Sequence, residues 1–180
     1  MPTYGEMARL LFTDTDSLAY IIETDDIFED MLKKPELFDL SKYPKDFKTL
    51  SGNLMYKAEG GDVPGLFKDE MKGAIMTEFA GNRAKSYWYT KEKGGIVMDN
   101  KTLKGIKRSV TAKVITGEDY TRCVLQGQKL SVSQRTFRSM NHEIFTLEQR
   151  KMALSRFDDK RYILEDGITT RALGHYRNQK

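Results

Sequence analysis

Apolar positions in this chain come mostly in short runs separated by polar clusters, which is the rhythm of strands and turns. Ala8-Arg9-Leu10-Leu11-Phe12 and Leu18-Ala19-Tyr20-Ile21-Ile22 flank the polar tetrad Asp14-Thr15-Asp16-Ser17. Neither run is long enough for a stable helix, and both suit a pleated surface. The spacing predicts a β-hairpin over about residues 8–23 with the tetrad as its turn, although the tetrad lacks the Asn-Gly or Asp-Gly of the commonest two-residue turns. Ile27, Phe28, Met31 and Leu32 then recur at helical intervals. Thr24 or Asp25 can cap that helix, acids fill its first turn, Lys33 and Lys34 close it, and Pro35 stops it. Between Pro35 and Pro64 the periodicity lapses, and Pro44, Gly52, Gly60 and Gly61 interrupt the chain. That stretch reads as a long surface connection with the character of an insertion.

Beyond Gly65 the pattern tightens. Gly65–Glu70 and Ile75–Ala80 read as strands or short helical turns, and Ser86-Tyr87-Trp88-Tyr89-Thr90 as a strand. Gly94-Gly95 and Asp99-Asn100 punctuate two more strands, near Ile96–Met98 and Thr102–Val110. Thr116-Gly117-Glu118-Asp119 resembles a capping box and opens a short helix that ends at Gly127. The last third alternates apolar and charged residues, ending in a hairpin at Asp166-Gly167 between Arg161–Leu164 and Ile168–Ala172. Few helices among many short strands predict an α+β fold rich in antiparallel strands.

Charge changes this picture more than composition does. The net charge is +4, but residues 1–50 hold 6 Lys or Arg against 11 Asp or Glu, while residues 51–180 hold 24 against 15. An acidic front and a basic remainder fit a metal site beside a track for a phosphate backbone; a mixed solvated surface accounts for the same numbers. The single cysteine, Cys123, excludes an internal disulfide and a cysteine-based zinc site, and fits a reducing compartment. No apolar run approaches a membrane span, and the first residues lack the pattern of a signal peptide. No membrane partner and an intracellular location are therefore expected.

Asp14 and Asp16, one residue apart at a turn, can present oxygens to one small volume. Oxygen-only ligation on a hairpin suits Mg²⁺, and a pair of such ions serves in-line displacement at phosphorus. Asp, Thr and Ser are also ordinary turn formers, which is the structural alternative. Further on, Arg83-Ala84-Lys85-Ser86-Tyr87-Trp88-Tyr89 sets two cations beside three aromatic rings, and Lys85-x-Tyr87 would share one face of a strand. Lys101-Thr102-Leu103-Lys104-Gly105-Ile106-Lys107-Arg108 follows, where Gly105 would allow close approach to a duplex; an edge strand guarded by lysines reads the same way. His142 and His175 have no Cys or Ser-Asp partner nearby in sequence, and the nine methionines suit core filling.

Phe12-Thr13-Asp14-Thr15-Asp16-Ser17-Leu18, framed by strand-like runs and followed by an acidic helix, resembles the third palm motif of family B DNA polymerases. The resemblance is nearest to the protein-primed viral and self-synthesising mobile-element branch. It implies that Asp16 is the principal metal ligand of a two-Mg²⁺ site and that Asp14 supports it, both as catalytic residues. Lys85-Ser86-Tyr87 resembles the Lys-x-Tyr motif of that family, which contacts the primer strand, and Lys104-Gly105-Ile106 resembles its following basic segment. The resemblance thus implies DNA contacts at Arg83, Lys85, Tyr87, Lys104, Lys107 and Arg108. It implies residues 1–112 as the C-terminal part of a palm, with the insertion at 35–64, and residues 113–180 as a small thumb-like region.

No Asp-x-x-Ser-Leu-Tyr-Pro-like segment and no Lys-x-x-x-Asn-Ser-x-Tyr-Gly-like fingers segment occurs in the 180 residues. The expectation is therefore a partial DNA-directed DNA polymerase, a nucleotidyltransferase fragment inactive alone. Primer-template DNA is the expected partner, dNTP only with the upstream polymerase segments, and a nucleus or viral replication site the setting. A polymerase-derived DNA-binding module without chemistry is the alternative, and an unrelated structural α+β domain the third.

Overall fold

In the computed structural model all residues are described except 1–3, 15, 59–60, 62, 84, 158–160, 167–168, 173 and 179–180. The fold is mixed α+β, with mostly antiparallel sheets and few helices. In chain order the elements are β1 (Ala8–Asp14), β2 (Ser17–Ile22), α1 (Ile27–Leu32), β3 (Phe38–Asp39), β4 (Phe67–Lys68), β5 (Ile75–Arg83), β6 (Ser86–Lys93) and β7 (Ile96–Leu103). They continue with α2 (Arg108–Val114), α3 (Gly117–Gln126), β8 (Leu130–Met140), β9 (Glu143–Leu154), β10 (Arg161–Ile163) and β11 (Thr170–Ala172). β1–β2, β8–β9 and β10–β11 are antiparallel pairs, β3–β4 is a short parallel pair, and β5, β6 and β7 form a three-stranded sheet in that order.

Two compact units divide the chain. Unit 1 comprises Met1–Glu78 and Thr90–Met98; unit 2 comprises Phe79–Tyr89 and Asp99–Lys180. Within unit 1 the core gathers Met31, Leu40, Tyr43 and Met55, with Phe28 and Phe47 packed on them. Phe28 meets Phe47 edge-on at 5.0 Å, and Tyr43 stacks on Phe47 at 5.5 Å. The stretch from Pro35 to Pro64 is therefore not the surface connection its lost periodicity predicts. Irregular backbone carries Leu40, Tyr43 and Met55 into the core at 4 % exposure or less, and aromatic anchors on irregular chain leave no period to read. Gly73 closes against the Phe47 ring: a Cβ there would lie 2.6 Å from it, at a φ of +84° that favours glycine.

Unit 2 has the larger core, including Leu103, Ile106, Ile115, Tyr120, Cys123, Val132 and Leu154. Trp88 packs against this cluster and lies so close to Gly117 at the start of α3 that a Cβ there would fall 2.2 Å from the indole. Helix α3 has the expected capping box, Thr116 and Asp119 bonding each other's backbone N–H, and it ends at Gly127 in the left-handed region. Burial makes the Tyr120 phenol hard to ionise, and its hydroxyl donates to the Thr102 carbonyl at 3.1 Å. Burial likewise pushes the Cys123 thiol up.

Several sequence expectations shift in detail. The cap of α1 is Asp26, not Thr24 or Asp25: its carboxylate accepts from the N–H of Phe28 and Glu29, and from Leu50 at 2.7 Å. β7 runs unbroken through Asp99-Asn100 and stops at Leu103, and the strand expected over Thr102–Val110 gives way to a turn and α2. Gly105, at φ +97°, supplies the conformation that ends the strand. Two-residue hairpin turns recur with positive φ, at Gly94-Gly95 and at Asn141-His142. The hairpin between Arg161 and Ala172 forms as expected, with Gly167 and Ile168 outside the described residues. Among the described residues no helix is long and apolar enough to cross a membrane.

Candidate functional site

The β1–β2 hairpin pairs Ala8 with Ile22 and Leu10 with Tyr20, then skips one residue so that Phe12 faces Ala19 and Asp14 faces Ser17. The extra residue, Leu11, is a β-bulge, and its effect is specific. Without it Thr13 would face Ser17 and both aspartates would fall in a three-residue loop. With it Asp14 becomes the last residue of β1, on the face shared by Phe12 and Ala19, and Asp16 lies in a two-residue turn. Asp14 is half-buried and Asp16 exposed. Thr15 lies outside the described residues. Oxygen is the only donor type the pair offers, which fits Mg²⁺ as one or two ligands of six. Among the described residues no cluster of three or more His, Cys, Asp or Glu is placed to hold a metal.

A second acidic group in unit 1 is fully engaged in structure. Asp30 accepts from Lys33 at 2.7 Å, from Thr24 at 2.7 Å and from Tyr4 at 3.1 Å. Lys33 above all, then Thr24, holds its carboxyl below the ordinary range. Burial, together with Asp30, pushes the Tyr4 phenol up to about 12. Glu29 is lowered by Thr49 and then Asn53, both of which donate to it. These contacts tie α1 to the chain on either side of it and leave its acids little capacity for a metal.

The expected DNA-contacting residues belong to unit 2. Lys85 lies outside β6, in the β5–β6 turn, with φ +59°. Face alternation therefore does not relate it to Tyr87, as the Lys-x-Tyr spacing predicts; a two-residue connection between β5 and β6 demands a turn conformation there. Its carbonyl accepts from the Lys104 N–H at 2.8 Å, which brings two of the predicted cations onto adjoining backbone. Lys107 caps α2 through backbone geometry, and its ammonium stands 5.6 Å from the centre of the Phe137 ring. Arg83, Lys85, Lys104, Lys107 and Arg108 are all exposed, and Tyr87 is half-buried on β6.

The residues that hold this basic loop were not legible in the sequence. Gln134, 5 % exposed on β8, accepts from the Lys107 N–H at 2.9 Å and donates to the Gly105 carbonyl at 3.3 Å. Its amide thus substitutes for a neighbouring strand. Lys151 on β9 donates to the same Gly105 carbonyl at 3.0 Å. A buried glutamine amid alternating polar residues was the available signal, but strand periodicity cannot say which polar side chains turn inward. His142 sits exposed in the β8–β9 turn, and the Nδ1 of His175 accepts from the Arg177 N–H.

Comparison with models of known protein families, with curated proteins and with solved structures gives no match.

Proposed function

We propose that this chain is the palm-to-thumb portion of a family B DNA polymerase, contributing one carboxylate hairpin and primer-template contacts to nucleotidyl transfer and inactive alone. The observation that carries this is the bulged β1–β2 hairpin, which ends one strand at Asp14 and puts Asp16 in the two-residue turn. Asp16 and Asp14 would hold Mg²⁺, which in such sites neutralises charge on the transferring phosphoryl group. The basic loop of unit 2 would meet the phosphate backbone of the primer-template. Residues 1–112 would be palm and 113–180 thumb-like.

A second reading, a polymerase-derived DNA-binding module without chemistry, draws on a different observation. The basic loop is held by Gln134 and Lys151 inside one compact unit with its own core, and needs neither aspartate. Primer extension separates the two. With a co-expressed family B segment carrying the other metal-binding wall and the fingers, the first reading predicts nucleotide incorporation that Asp16→Asn abolishes and Asp14→Asn reduces. Asparagine keeps the shape and removes the charge, so the variant reports ligation and not packing. Binding of DNA without any rescued incorporation would leave the second reading.

A further inference from the structure

We draw no further inference here: the strongest candidate, the surface patch of exposed Phe137, Met140 and Ile144 toward the turn end of the β8–β9 hairpin, carries none, because nothing in the structure shows what covers it.

Discussion

The β1–β2 hairpin and the Lys104–Lys107 loop carry the two kinds of candidate chemistry, and they are supported differently. The hairpin is a sheet of two strands, each with one neighbour, and its Leu10, Leu18 and Ile21 are 48 %, 47 % and 41 % exposed. Among the described residues, none from the hairpin belongs to either core cluster. The loop, by contrast, has its backbone tied at three residues: Lys104 to the Lys85 carbonyl, Gly105 to Gln134 and Lys151, and Lys107 to Gln134. Two-stranded sheets are marginal by themselves, and a metal site needs its ligands held within fractions of an ångström. The basic loop is thus fixed by side chains of its own unit, whereas the carboxylate hairpin pairs its two strands only with each other.

The largest expected effect breaks the better-supported side. Leu154→Ala, in the core of unit 2, should cost about 2–5 kcal/mol, because a fully buried leucine leaves a cavity. Urea unfolding followed by far-UV circular dichroism would measure it, and a cost below ~0.5 kcal/mol would mean the core is not where the burial places it. Gly117→Ala should follow at about 1–3 kcal/mol, since the added methyl meets the Trp88 indole and must displace it. Near-ultraviolet circular dichroism of the single tryptophan should change with it.

Gln134→Leu sharpens the comparison at the loop. It removes both hydrogen bonds and strands the Lys107 N–H and one bond of the Gly105 carbonyl, for about 1–3 kcal/mol. Amide hydrogen exchange over residues 104–108 should rise specifically; unchanged protection there would remove Gln134 from its positioning role.

Smaller effects belong to unit 1. The carboxyls of Asp30 and Glu29 are lowered by their hydrogen-bond partners, so between the ordinary carboxylate range and their folded values the unfolded chain binds more protons. Their contribution is complete above that range and is lost as pH falls through the folded values. The fall in urea midpoint between about pH 7 and about pH 3 should shrink in Asp30→Asn. Least of all, Leu18→Ser on the exposed face of the hairpin should change stability by no more than ~0.5 kcal/mol. A large loss at Leu18 would reveal that this face is covered.

Local signals made part of this arrangement legible. The paired apolar runs around Asp14–Ser17, the capping box at Thr116–Asp119 and the alternation through β8 and β9 each state their element within a few residues, and each element is present. What stayed hidden depends on residues far apart in sequence. The bulge at Leu11 leaves the hydrophobic pattern unchanged, yet it decides where the two aspartates fall. Gly105 reads as an aid to close approach within a strand, but its positive φ ends β7 and lets α2 begin. Gln134 looks like any other polar residue on an alternating strand until Lys107 and Gly105, 27 and 29 positions away, are seen to share its amide. In unit 1 the core rests on Leu40, Tyr43 and Met55 in irregular chain, where no period exists to find.

The proposed division, DNA contacts from the basic loop and no nucleotidyl transfer without a further polymerase segment, is open to a direct test. One experiment with the purified 180-residue chain measures both, following binding of a primer-template across a salt series beside primer extension with Mg²⁺ and dNTPs. The proposed division predicts binding that falls steeply with salt as counterions are released, a shallower slope in Lys104→Glu/Lys107→Glu, and no incorporation. Incorporation by the chain alone, abolished by Asp16→Asn, would contradict it.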